Sequence, residues 1–178
     1  FINYSVELGS IICVTDPEAA AQRDALMLLV RAQPELAPPL PELPRLGPGI
    51  LHQDDQLAGQ LFLQGEVSID GKSGLFDDVV GRGFCLLSIA GDPALSAETH
   101  ARFTSLGGLT ASLVRHGNTA AHQIIDVNGT YHDWFTEHDC AIVLTRPDFY
   151  IFGAAAHVED AEALVAALLN QLQPEIML

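Results

Sequence analysis

The sequence predicts an α/β fold, a central mixed sheet flanked by helices, preceded by a helix and a proline-rich connector. Three observations predict it. From residue 84 onward, short apolar runs rich in β-branched and aromatic residues alternate with helical patterns. Compact turn signals separate those runs, among them Asn128-Gly129 and the triplet Arg146-Pro147-Asp148, which interrupts an otherwise continuous apolar stretch. Residues 34–48, PELAPPLPELPRLGP, hold six of the ten prolines, a composition that makes an extended connector and marks a boundary. The expected organisation is therefore a tail helix in residues 1–33, a linker over 34–49 and one domain over 50–178.

Each element has a local reason. The chain opens at Phe1 inside an apolar stretch with no helix cap ahead of it, which suggests a cut from something longer. In TDPEAAAQRDALMLLVRAQ, Asp16 suits an N-cap, Pro17 the first helical position, and Glu18 the positive end of the dipole. The second half of this helix, ALMLLV, is apolar nearly all round and needs cover on more than one side. GQLFLQGEVSID followed by GKSG reads as a strand or hairpin with a glycine turn, and LFDDVV as a short helix. GFCLLSIA is a buried strand, and LSAETHARFTSL a helix capped by Ser96. LTASLVRH and AHQIIDV read as strands; TYHDWFTEH, after the Asn-Gly turn, carries a short helix. CAIVLT and FYIFGAA form a hairpin around Arg146-Pro147-Asp148, where proline fixes φ and aspartate accepts backbone hydrogen bonds. EDAEALVAALLNQL closes the chain as a helix with acidic residues in its first turn. The order from residue 84 is that of a thioredoxin-like layout, a βαβ half joined to a ββα half.

Composition excludes several function classes. Hydrophobic content of 48% and charged content of 17% allow one ordinary globular core. No apolar run reaches the ~20 residues needed to cross a bilayer, and a basic segment with a small-residue cleavage site is missing, so no membrane span and no signal peptide are expected. A net charge of −15, with Lys72 and seven dispersed arginines, argues against a nucleic-acid partner. Cys13, Cys85 and Cys140 are scattered and odd in number, which fits buried thiols in a reducing cytoplasm.

Several stretches carry a family resemblance. GQLFLQGEVSI, LFDDVVGRGFCLL, IIDVNGTYHDWF and IVLTRPDFYIFGAAA resemble the C-terminal region of FAD-dependent aromatic-ring monooxygenases. The nearest members are the 3-(3-hydroxyphenyl)propionate and 3-hydroxycinnamate hydroxylases, with phenol hydroxylases more distant. SVELGSIICVTDPEAAAQRDALM resembles the helical stretch that follows their last flavin motif. The most specific pieces are Phe76-Asp77-Asp78, Gly83-Phe84, Asp126 with Gly129, Trp134-Phe135 and Arg146-Pro147-Asp148, all of which the resemblance implies to be structural. It further implies a parent enzyme that uses FAD, NAD(P)H and O2 to hydroxylate a phenolic acid ortho to its hydroxyl. The flavin and substrate domains of that chain would be the partners of this piece, which could also support a homodimer.

The residues assign no catalytic, cofactor or metal site to this chain. GRGF at 81–84 lacks the G-x-G-x-x-G spacing and precedes a strand, and the GDP of 91–93 follows the wrong element for a flavin motif. A thioredoxin-like redox centre would need two cysteines at the start of the first helix, where the sequence reads AGDPALSAE. His132, Asp133, His138, Asp139 and Cys140 are dense, yet their spacing on one short helix does not converge on zinc. Asp126-x-Asn128-Gly129 lacks the remaining ligands of a calcium loop, and no G-x-S-x-G elbow exists for a hydrolase. Trp134 and Phe135 suit core packing, and the adjacent Asp77 and Asp78 diverge, as a cap or solvated turn would. The leading expectation is a non-catalytic C-terminal domain with a structural or oligomerisation role. The alternative is an autonomous, redox-inactive thioredoxin-fold binding module.

Overall fold

The computed structural model describes residues 2–37, 45–115 and 123–172, and the chain divides into two units, Phe1–Pro44 and Arg45–Leu178.

The first unit contains α1 (Ile2–Ile12), α2 (Pro17–Ala32) and a 3-10 turn, Pro34–Leu36. Asp16 caps α2 as its sequence requires, accepting from the Ala19 N–H at 2.9 Å, with Pro17 in the first turn. Arg23 reaches back to the end of α1, donating to the Ile12 carbonyl at 3.2 Å, which satisfies an acceptor that the helix leaves open. Neither helix has a buried residue, and Ile2, Val6, Leu26, Met27 and Leu28 are all exposed. The one tail helix expected over residues 1–33 is two helices, and Asn3, Ser5 and Glu7 lie in the first of them. In the structure those polar positions are simply further exposed residues of α1.

Of the linker expected over 34–49, Pro34–Leu36 form the 3-10 turn. Residues 38–44 lie outside the described residues; Leu46 already belongs to the second unit, its N–H donating to the Gly59 carbonyl at 2.8 Å.

The second unit is a seven-stranded mixed sheet. Its strands are β1 (Glu66–Ile69), β2 (Lys72–Leu75), β3 (Cys85–Ser88), β4 (Leu109–Val114), β5 (Gln123–Asp126), β6 (Ile142–Thr145) and β7 (Ile151–Ala155), in the order β2-β1-β5-β4-β3-β6-β7. The helices are α3 (Phe76–Val79), α4 (Ala97–Ser105), α5 (Thr130–Glu137) and α6 (Ala161–Leu172). β3 runs parallel to β4 and antiparallel to β6, and β6 antiparallel to β7, so β4-β3-β6-β7 with α4, α5 and α6 is the thioredoxin-like core. β5 extends it parallel to β4, and the β1–β2 hairpin extends it again. Asp70 and Gly71, with φ of 50° and 77°, make the tight turn of that hairpin.

β3 and β6 are buried at every position, which is why their sequences are continuous apolar runs rather than alternating ones. Alternate side chains still go to opposite faces. Cys85, Leu87 and Val143 join Phe76, Tyr131 and Phe135 on one side; Leu86, Ile142 and Leu144 join Phe103, Leu164, Val165 and Leu168 on the other. The second face is tied at its helix ends: Ser96 caps α4 by accepting from the Thr99 N–H, and Glu162 of α6 accepts from the Ser96 N–H at 2.8 Å.

One element departs from its sequence pattern. Of the strand or hairpin expected from residue 59, the hairpin forms around Asp70 and Gly71, but pairing on β1 begins only at Glu66. Residues 59–62 pair instead beside the start of β7: the Gly59 N–H donates to the Ile151 carbonyl, the Ile151 N–H to Gln60, and the Phe62 N–H to Phe149. Residues 61–65 therefore cross from one edge of the sheet toward the other, with Phe62 and Leu63 packed on the first apolar cluster. Gly65 permits the passage, since a Cβ there would lie 2.8 Å from Tyr131 Cε2.

Candidate functional site

The crossing segment, α3 and the β6–β7 turn enclose a pocket of about 230 Å³. Leu61, Phe62, Leu63, Phe76 and Phe149 supply apolar walls, Cys85 and Thr145 line it from β3 and β6, and Gln64 and Asp77 bring polar groups. Asp77 Oδ1 accepts from Gln64 Nε2, which joins the first turn of α3 to the crossing segment. Cys85 is buried, and that burial pushes its thiol up to about 11, with a weaker opposing effect from the Thr145 hydroxyl.

The β6–β7 turn explains the interrupting triplet. Arg146 meets Asp148 through two bonds, Nε to Oδ1 at 3.1 Å and Nη2 to Oδ2 at 2.7 Å, and its Nη1 donates to the Ile50 carbonyl at 3.0 Å. The Phe149 N–H donates to the Arg146 carbonyl at 2.9 Å, and Arg146 N–H to the Tyr150 carbonyl at 2.8 Å. Phe149 is left at φ 65°, a left-handed conformation that bulky side chains rarely adopt. Its ring forms a pocket wall, with the Arg82 guanidinium 5.9 Å from the ring centroid.

Asp126 and Gly129 form a separate local structure at the end of β5. Asp126 is buried, and its Oδ2 accepts from the Tyr131 N–H at 3.1 Å and the His132 N–H at 3.0 Å, with His132 Nδ1 at 2.8 Å. One carboxylate oxygen thus gathers the open donors at the start of α5, and Gly129, at φ 76°, gives the turn into that helix. Tyr131 in turn accepts the Gly65 N–H at 3.0 Å; burial, with a smaller push from nearby Asp126, raises its hydroxyl to about 12 against the lowering effect of that hydrogen bond.

The other sequence-selected residues are distributed through the fold. Phe76 is buried against Tyr131, with ring centroids 5.8 Å apart, whereas Asp78 is exposed. Gly83 lies where a Cβ would stand 2.7 Å from the Gly107 carbonyl, and Phe84 packs on the second cluster. Trp134 meets Phe62 edge-on at 5.0 Å, and Phe135 is fully buried. Phe76, Asp77 and Gly83 reach the pocket; Asp126, Gly129 and Phe135 do not line it. Leu61, Phe62, Leu63 and Phe149 were missed by sequence reasoning, and the only signal available was the repeated aromatic residue on either side of glycine and proline punctuation.

The dense histidine segment is dispersed. His132 faces Asp126, Asp133 pairs with Arg115 at 2.9 Å, and His138 meets Trp134 edge-on with ring centroids 4.5 Å apart. Among the described residues, no three His, Cys, Asp or Glu side chains are grouped to hold a metal ion. At the position of a thioredoxin reactive site, Pro93 is buried and Asp92 accepts from the Ser112 hydroxyl. Cys140 is pushed up to about 11, mainly by burial, so it and Cys85 are neutral thiols at physiological pH. Among the described residues no helix is long and apolar enough to cross a membrane.

Residues 59–171 match the sequence profile of the HcaD C-terminal domain. A probable NADH-specific resorcinol 4-hydroxylase of Rhodococcus jostii (strain RHA1) is 29% identical over 174 residues, covering 96% of this chain and 32% of that protein. A 3-(3-hydroxy-phenyl)propionate/3-hydroxycinnamic acid hydroxylase of Burkholderia vietnamiensis is 28% identical over 200 residues, covering 98% of this chain and 36% of that protein. The corresponding hydroxylase of Comamonas testosteroni is 29% identical over 125 residues, with 64% and 20% coverage. The chain thus spans about a third or less of the length of these relatives. The crystal structure of the flavin-dependent monooxygenase PieE in complex with FAD and substrate shares the fold, with a TM-score of 0.50 at 20% identity over 92% of this chain and 32% of that one.

Proposed function

Because this chain belongs to the HcaD C-terminal domain family, we propose that it is the accessory end of a flavoprotein monooxygenase and contributes no catalytic residue of its own. The parent enzyme hydroxylates a phenolic acid of the 3-(3-hydroxyphenyl)propionate type, using FAD, NAD(P)H and O2. The observation that carries this reading is a similarity that runs along 96% of this chain yet occupies 32% of a hydroxylase. In this reading residues 1–33 belong to the flavin and substrate portion, which supplies the cover that the exposed apolar residues of α1 and α2 need. Residues 50–178 then form the thioredoxin-like domain. Its Phe76, Gly83, Asp126, Gly129, Phe135 and Arg146 act structurally, and the buried contacts of Phe76, Asp126 and Phe135 support that assignment.

Immunocapture of the native protein tests the proposal. A yellow polypeptide about three times this length, whose absorbance is that of a flavin, is the expected result. A colourless protein of this length would remove the flavin reading. Stoichiometric FAD binding and NAD(P)H oxidation by the 178-residue chain would overturn its non-catalytic role. The self-contained core of the second unit favours one other reading, a redox-inactive binding module that acts alone.

A further inference from the structure

We propose that the pocket between the crossing segment and the β6–β7 turn binds one small, neutral aromatic molecule carrying a hydrogen-bond donor. The ring lies among Phe62, Phe76 and Phe149, and the donor is received by Asp77. This site goes beyond the accessory role proposed above and does not rest on it.

Four observations carry the assignment. The volume, about 230 Å³, exceeds the about 150 Å³ of a dry apolar cavity that accepts benzene, so a single ring with one substituent fits. Three of the five apolar walls are aromatic, which favours a planar guest through stacked and edge contacts. The polar equipment is an acceptor: Asp77 Oδ1 already holds the Gln64 amide, which leaves Oδ2 to receive a donor, and this carboxylate in a chain of net charge −15 disfavours an anion. Cys85 and Thr145 complete the lining without charge, since the buried thiol stays protonated. The fourth is backbone strain. Phe149 is held at φ 65° by the Phe62 N–H on its carbonyl and by its own N–H on Arg146, with the Arg146–Asp148 pair closing the turn. An unfavourable backbone conformation at a pocket wall, fixed from both sides, is a feature of ligand clamps.

Titration of the 178-residue chain with benzyl alcohol tests the site, because Trp134 is the sole tryptophan and its ring meets Phe62 at 5.0 Å. The expected result is a saturable change in Trp134 emission with one site per chain, about tenfold weaker for toluene, which lacks the donor, and absent for benzoate. Asp77→Ala should bring benzyl alcohol to the toluene level, and Cys85→Leu, which fills the lining, should abolish binding of both. In the unsubstituted chain, NMR cross-relaxation should place the benzyl ring against Phe62, Phe76 and Phe149, a measurement that needs no variant to fold. Non-saturable titration, equal affinity for toluene, or cross-relaxation to other rings would each overturn the proposal. Binding by this chain that disappears in a longer natural polypeptide would also overturn it, by assigning the pocket to an apolar side chain of that polypeptide.

Discussion

Asp126 concentrates the domain's polar demands in one atom. Its Oδ2 serves two backbone N–H groups and the His132 ring, while Oδ1 is buried without a partner among the described residues. Asp126→Ala strands those donors in a dry environment and is expected to cost about 1–3 kcal/mol, measured by urea denaturation. The turn beside it depends on conformation rather than contact: Gly129→Ala forces a Cβ into the left-handed region and is expected to lose about 1–2 kcal/mol by the same measurement. The thiols separate by environment. With a disulfide reagent at pH 8, exposed Cys13 should react rapidly, while Cys85 and Cys140, both raised to about 11, should react fully only after denaturant is added. At residue scale the sequence was legible where chemistry is local. Asp16, Ser96 and Gly129 each stand at a helix start for reasons contained within four residues.

Elements were legible when their pattern and their partners were both near in sequence. The β1–β2 hairpin, α4 and α6 follow their turn and cap signals. Residues 59–64 carry a strand-like pattern, but their partners are Phe149 and Ile151, and no local propensity encodes a pairing that distant. The pocket was hidden for the same reason, since its walls come from residues as far apart as Leu61 and Phe149. The α4–α6 junction is an element-scale contact with a pH signature. Hydrogen bonds from Thr99 and Ser96 lower the pKa of Glu162 below the usual glutamate value of 4.5. A carboxylate depressed in the folded state stabilises fully above its unfolded pKa, and that contribution is lost as pH falls through the folded one. Glu162→Gln is therefore expected to narrow the gap in thermal midpoint between pH 6 and pH 3, with the parent chain losing more on acidification.

Both apolar clusters of the molecule draw all their buried residues from the second unit. A chain of residues 45–178 is accordingly expected to unfold cooperatively, with near-UV circular dichroism like that of the full chain. A peptide of residues 1–37 should lose most of its helicity, because its helices, 11 and 16 residues long, are near the ~12–15-residue limit for isolated helices and bury nothing. The crossing segment has one more consequence. Gly59, Gln60 and Phe62 are among the first residues of the second unit to be synthesised, and the groups that receive them, Phe149 and Ile151, are among the last. On a ribosome this stretch stays without its partners until the β6–β7 hairpin has left the exit tunnel, so this edge of the sheet closes late.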